Sequence, residues 1–178
     1  ASSLSMAASD IAIPKTSWSA FVNAAGIVDQ QGVTFVASSQ SHFSQDFLSH
    51  SLFGVQFKNS KYGSFGISFE NSSVDYSGNN LAAETAIGIH QGISLRSDRN
   101  SSFSFGYGLK SYTVDYGSSA GPSGDGSDGI ELGSLNAFGL DVSFLGSLGK
   151  RIRVGAKALN INFSITVSEI LSWINKRE

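Results

Sequence analysis

The sequence lacks cysteine and contains only two prolines and three histidines among 178 residues. Without cysteine it can form no disulfide scaffold, thiolate metal site or cysteine nucleophile. Charged residues make up only 15% of the chain, and the formal net charge of -2 offers no basic surface for nucleic acid. There is also no run of about 20 apolar residues that would form a membrane-spanning helix. These absences predict a protein with no metal, no cofactor and no nucleic-acid partner.

Small residues and phenylalanine are abundant instead, including 20 glycines and 13 phenylalanines. From about residue 49 to 160, apolar side chains alternate with small or polar ones at every second position. A period of two is typical of β-strands, whose successive side chains point to opposite faces. The pattern therefore predicts six strands and a weaker seventh at the start. These strands are expected near residues 33–39, 52–58, 64–70, 87–95, 103–110, 137–144 and 151–158.

The connections between the predicted strands alternate in length. Short turns are predicted at 59–63, 96–101 and 146–150, and longer connections at 40–47, 72–80 and 117–134. Such alternation, with one apolar face per strand, is typical of an outer-membrane barrel. The predicted fold class is therefore all-β: an antiparallel up-and-down transmembrane β-barrel. A soluble antiparallel sandwich or lipocalin-like barrel is the alternative, but the second face is mostly glycine, serine and alanine, which suits a lumen better than a solvated surface.

Several titratable residues fall on this second, lumen-facing side of the predicted strands. They are Glu70, Glu84, His90, Asp141, Arg153 and Lys157. Buried charges need partners, so these residues could form a polar path, hold a plug segment, or form a salt-bridge network that only stiffens the barrel. His90 is expected to be a hydrogen-bonded lumen residue. No residue is predicted to be catalytic, because the only nucleophile-elbow pattern, at 117–121, is followed by Pro122 and not by a helix.

The N-terminal stretch, residues 1–32, is small and apolar without a strand period. It contains Met6-Ala7-Ala8 and the motif Asn23-Ala24-Ala25-Gly26, and the run Phe43-Ser44-Gln45-Asp46 precedes the first strong strand. In these features the chain resembles the PorV/PorQ family of outer-membrane proteins, relatives of the FadL transporters. The resemblance implies an N-terminal plug or periplasmic segment at 1–32 and barrel strands at 33–162.

Barrels of this family have about fourteen strands, so the resemblance implies that the seven or eight strands of this chain are an N-terminal part of one. Residues 163–178 do not continue the pattern and are predicted to form an atypical tail with a short helix from Ser168. Alternatively, residues 162–167 form an eighth strand that closes a small barrel.

The resemblance also implies a function. It predicts a non-enzymatic protein of the bacterial outer membrane that delivers or anchors proteins exported by the type IX secretion system. Its partners would be outer-membrane lipid and secreted cargo or secretion-system proteins. One alternative is a FadL-like passive transporter of hydrophobic small molecules; another is a soluble extracellular β binding module.

Overall fold

The computed structural model describes residues 9–13, 16–41, 47–59, 61–76, 79–119, 121–124, 127–149 and 151–161. These residues contain seven β-strands, preceded by short helical elements. The strands are β1 (Val33–Ser41), β2 (Leu48–Asn59), β3 (Gly63–Tyr76), β4 (Asn79–Ser97), β5 (Ser101–Asp115), β6 (Ser134–Leu148) and β7 (Ile152–Ile161). The predicted tail helix and the alternative eighth strand fall at 162–178, outside the described residues.

The seven strands form one antiparallel sheet in the order β1-β2-β3-β4-β5-β6-β7. Each strand pairs with its neighbour in sequence, so the predicted number of strands and their up-and-down order are confirmed. Within the described residues the sheet stays open, with β1 and β7 at its two edges. Its closure into a barrel therefore remains a prediction.

The predicted long connection at 72–80 is wrong. β3 continues to Tyr76 and β4 begins at Asn79, with Val74 directly opposite Ala82. The face that is apolar up to Phe69 becomes polar here, at Asn71, Ser73 and Asp75, so the sequence loses its apolar period although the backbone ladder persists. Cross-strand hydrogen bonds support the pairing, as between the Asn71 amide and the Thr85 hydroxyl at 3.0 Å.

One face of the sheet, the apolar face, carries large hydrophobic side chains that are exposed. Phe35, Ile89, Leu109 and Phe138 have 68, 63, 63 and 77% of their surface exposed. The strand register places one apolar residue from each strand in a single row across the sheet. This row is Phe35, Val55, Ile67, Ile89, Leu109, Leu140 and Ile161.

The opposite face, the polar face, is covered by the N-terminal segment, which we define as described residues 9–13 and 16–32. This segment contains a 3-10 helix at Ser9–Ala12, the α-helix α1 (Ser19–Val22) and a second 3-10 helix at Ala24–Asp29. No helix within the described ranges is long and apolar enough to cross a membrane. The second 3-10 helix contacts β2 to β6, and the main buried apolar cluster lies here, formed by Ala20, Ala24 and Ile27.

Candidate functional site

Four charged side chains meet on the polar face, and we call them the charged cluster: Glu70, Lys110, Asp141 and Lys157. The Lys110 ammonium lies 3.5 Å from a Glu70 carboxylate oxygen and 3.5 Å from Oδ2 of Asp141. The Lys157 ammonium lies 4.0 Å from the same Asp141 oxygen. The side chain of Asp141 is 3% exposed, and those of the two lysines are 9 and 10% exposed. The negative charges of two carboxylates are thus balanced by the positive charges of two ammonium groups in a largely buried network.

Glycines lie opposite two members of the cluster on the neighbouring strands. Lys110 on β5 is opposite Gly88 on β4 and Gly139 on β6. The Lys110 side chain reaches past β4 to Glu70 on β3. Asp141 is likewise opposite Gly108, and its Oδ1 accepts a hydrogen bond of 3.0 Å from the backbone N–H of Asn160. The charged side chains thus face small residues on the adjacent strands.

His90 lies beside this cluster in a slot between strands. It is 1% exposed, and its Nε2 is 2.8 Å from the Ser68 hydroxyl. A Cβ atom at Gly88 would lie 2.6 Å from the same nitrogen, and one at Gly108 would overlap Nδ1. The described residues contain no group of three or more side chains that could hold a metal ion. His90 is thus placed as a packed, hydrogen-bonded side chain.

The structure brings together only some of the residues singled out in the sequence. Glu70, Asp141 and Lys157 belong to the cluster, whereas Glu84 and Arg153 are exposed and form no ion pair with any described residue. Lys110, which bridges the two carboxylates, was missed. Its position on the same side of β5 as Ser104 and Gly106 was visible in the alternation and could have indicated it.

Hydrogen bonds attach the N-terminal segment to the polar face. Nζ of Lys157 donates to the carbonyl oxygen of Phe21 at 2.9 Å, which connects the charged cluster to α1. The backbone N–H of Ala25 donates to the Ser143 hydroxyl at 3.2 Å. The Gln56 amide on β2 donates to the carbonyl oxygen of Ser17. The segment is therefore held from β2, β6 and β7.

The N-terminal segment also packs directly against glycines of the strands. A Cβ atom at Gly92 would lie 2.7 Å from the carbonyl oxygen of Ala24, and one at Gly66 would lie 3.0 Å from Cβ of Ala20. At Gly106 the added atom would lie 2.5 Å from the carbonyl carbon of Ala24. At distances this short, an added side chain would overlap the N-terminal segment. Because the interior is closely packed, the overlap could be relieved only by moving the neighbouring atoms.

The motif Asn23-Ala24-Ala25-Gly26 is buried within this contact. Oδ1 of Asn23 accepts a hydrogen bond of 3.0 Å from the N–H of Ala25 and so caps the second 3-10 helix. Its Nδ2 donates to the carbonyl oxygen of Ile11 at 2.7 Å and to that of Phe144 on β6 at 3.2 Å. One side chain therefore joins three parts of the chain.

Replacement of Asn23 by alanine is expected to lower the free energy of unfolding by about 2 kcal/mol, because a cap and two buried hydrogen bonds are lost. Asn23→Ser keeps a cap acceptor but no amide donor, so its loss should be smaller, near 1 kcal/mol. Denaturant unfolding of both variants measures the difference. Equal losses would show that only the amide donors contribute.

Comparison of the chain with protein-family models, curated proteins and solved structures gives no match. The class of protein is therefore defined here by the geometry of its described residues: they form an antiparallel sheet of seven strands that stays open, with an exposed apolar face and a polar face covered by the N-terminal segment. The resemblance to the PorV/PorQ family remains a prediction.

Proposed function

We propose that this chain forms part of the wall of a non-enzymatic bacterial outer-membrane β-barrel. The apolar face would contact lipid, and the polar face, with the N-terminal segment against it, would line the interior. The observation that carries the proposal is the exposed apolar row on one side of the sheet, opposite buried polar side chains such as His90, Asp141 and Ser143. In a water-soluble sheet the two environments would be reversed.

The extent of the apolar face supports this proposal. On β4 its large hydrophobic side chains lie between Ile87 and Leu95, with Gln91 among them, and this span is close to the ~9–11 residues of a strand that crosses a bilayer. Toward the longer loops, the same face becomes polar in one row across six strands. This row is Ser39, Ser51, Asn71, Thr85, Thr113 and Asn136. A polar row bounding an apolar band is expected where a barrel leaves the hydrocarbon layer.

Closure of the barrel requires more than the seven described strands. Because successive strands are antiparallel, β1 and β7 run in the same direction. An all-antiparallel wall therefore needs an odd number of further strands, and an open edge is not tolerated in lipid, where every backbone polar group must be paired.

The biological role that we propose follows the family resemblance: surface delivery or anchoring of proteins exported by the type IX secretion system, with the longer loops as contact elements for cargo. A FadL-like passive route for hydrophobic solutes is the second candidate. An apolar pocket of about 460 Å³ on the apolar face, where Ser111 leaves a gap between Ile87 and Phe138, would fit the hydrocarbon chain of such a solute entering from the lipid side. A fatty acid retained by the purified protein would favour this second candidate.

Lipid exposure of the apolar face can be tested with single tryptophans in reconstituted protein. With Trp18 and Trp173 replaced by phenylalanine, Ile89→Trp places the probe in the apolar row, and Thr85→Trp places a matched control in the polar row of the same strand and face. Brominated acyl chains should quench the probe at position 89 several-fold more strongly than the one at position 85. Absence of quenching at position 89, in a chain that is monodisperse without detergent, would support the soluble binding module instead.

A further inference from the structure

A second pocket lies on the polar side, at the end of the sheet that carries the short turns. We call it the turn-end pocket; its volume is about 460 Å³. Lys58 and Ser64 line it from β2 and β3, Lys61 from the turn between them, and Ser94 from β4. Val28 of the N-terminal segment forms an apolar part of its wall. This pocket is separate from the charged cluster and has no role in the function proposed above.

The turn-end pocket presents hydrogen-bond donors and positive charge. Lys58 is directly opposite Ser64 in the strand register, so both side chains belong to the polar face. Lys61 adds a second ammonium group, whose Nζ lies 5.1 Å from the centroid of the Tyr62 ring. None of the described residues that line the pocket is acidic. The local charge therefore favours an anionic ligand.

Ser64 gives an independent indication of a ligand. The residue is 1% exposed, and its hydroxyl has no hydrogen-bond partner among the described residues. Most buried polar groups are paired, and an unpaired hydroxyl lowers stability unless a partner arrives. An anion in the pocket would accept a hydrogen bond from this hydroxyl while the two ammonium groups neutralise its charge.

We propose that the turn-end pocket binds a phosphate group. Three residues with hydrogen-bond donors, Lys58, Lys61 and Ser64, line it from three successive parts of the chain, and a phosphate has enough oxygens to accept from all three. Phosphate also carries up to two negative charges, which match the two ammonium groups, whereas a carboxylate carries one. The phosphate could belong to a free anion or to a lipid headgroup, since Val28 forms an apolar part of the lining against which an attached chain could lie.

The test is calorimetric titration of the full chain, folded in a non-ionic detergent, at constant ionic strength. One arm uses inorganic phosphate, and the other uses phosphatidylglycerol in mixed micelles. Ser64→Ala removes only the hydroxyl and should weaken binding about tenfold, as should Lys58→Gln. Arg151→Gln is the matched control, because Arg151 is an exposed cation beside a short turn at the same end of the sheet but outside the pocket.

Binding of inorganic phosphate that depends on Ser64 and Lys58 would support a site for free phosphate. Binding only of phosphatidylglycerol, with the same dependence, would identify the headgroup as the source. The proposal is overturned if neither probe binds, if Ser64→Ala binds as tightly as the unaltered chain, or if Arg151→Gln weakens binding equally. None of these results changes the tryptophan quenching, so failure of this site and failure of the membrane proposal are distinguishable.

Discussion

Replacement of Lys110 by methionine is expected to lower the free energy of unfolding by about 3 kcal/mol. The lysine ammonium lies 3.5 Å from carboxylate oxygens of both Glu70 and Asp141, and the Asp141 side chain is 3% exposed. Methionine fills similar space but leaves two carboxylates on the polar face without their shared cation. Lys157, 4.0 Å from Asp141, remains as a partial partner and keeps the loss at the lower end of the range for a broken buried ion pair.

Denaturant unfolding in one detergent measures this loss. Adding Asp141→Asn to Lys110→Met should recover part of the stability, because the uncompensated buried charge is removed. Arg96→Met is the control, since Arg96 pairs with Asp98 at 2.6 Å while their side chains are 70 and 51% exposed. An exposed pair contributes at most about 1 kcal/mol. Equal losses from Lys110→Met and Arg96→Met would contradict a stabilising role for the cluster.

The sequence predicts the sheet well wherever one face is apolar. On β5, Phe103, Phe105 and Leu109 alternate with small residues, and the strand lies where the period of two places it. The prediction failed between residues 72 and 80, where the apolar face becomes polar at Ser73 and Asp75 and the strands continue through backbone pairing and side-chain hydrogen bonds. Hydrophobic alternation indicates a strand only where one face is apolar. It does not predict the part of a strand that extends past the apolar band.

The candidate site was less predictable than the sheet. The alternation of apolar and polar residues tells which face a side chain lies on, but not which residues of the neighbouring strands lie opposite it. Glu84 and Lys110 both lie on the polar side by alternation. Register places Glu84 opposite Ser72, toward the longer loops, and Lys110 opposite Gly88, where it joins the other members of the charged cluster. Register depends on turn geometry and on bulges, such as the shift between Leu140 and Val142, which the spacing of apolar residues does not reveal.

The position of the N-terminal segment against the polar face also could not be predicted from the sequence. Glycines on the predicted inner face suggested a crowded or water-filled lumen, but they do not indicate which chain element lies against them. In the structure the backbone of Ala24 and Ala25 lies directly over Gly106 of β5, and the N–H of Ala25 bonds to Ser143 of β6. This contact leads to the second large expected effect.

Gly106→Ala is expected to displace the N-terminal segment from the polar face. The added Cβ would lie 2.5 Å from the carbonyl carbon of Ala24 and would also overlap the backbone nitrogen of Ala25. Because both obstacles are backbone atoms, no side-chain rotation relieves the overlap, and the expected loss is about 3 kcal/mol or more. Gly146→Ala is the matched control on β6, where the nearest atom would be a Phe103 ring carbon at 3.6 Å, an ordinary contact.

Amide hydrogen exchange separates displacement of the segment from unfolding of the sheet. In Gly106→Ala, protection should fall at Asn23 and Gly26, whose N–H groups bond within the segment, while strand amides far from the contact remain protected. Gly146→Ala should leave both regions unchanged and could raise stability slightly, because alanine restricts the unfolded chain. If Gly106→Ala retains full protection at Asn23 and Gly26, the segment can shift on the sheet at little cost, and the close fit at Gly106 does not hold it in place.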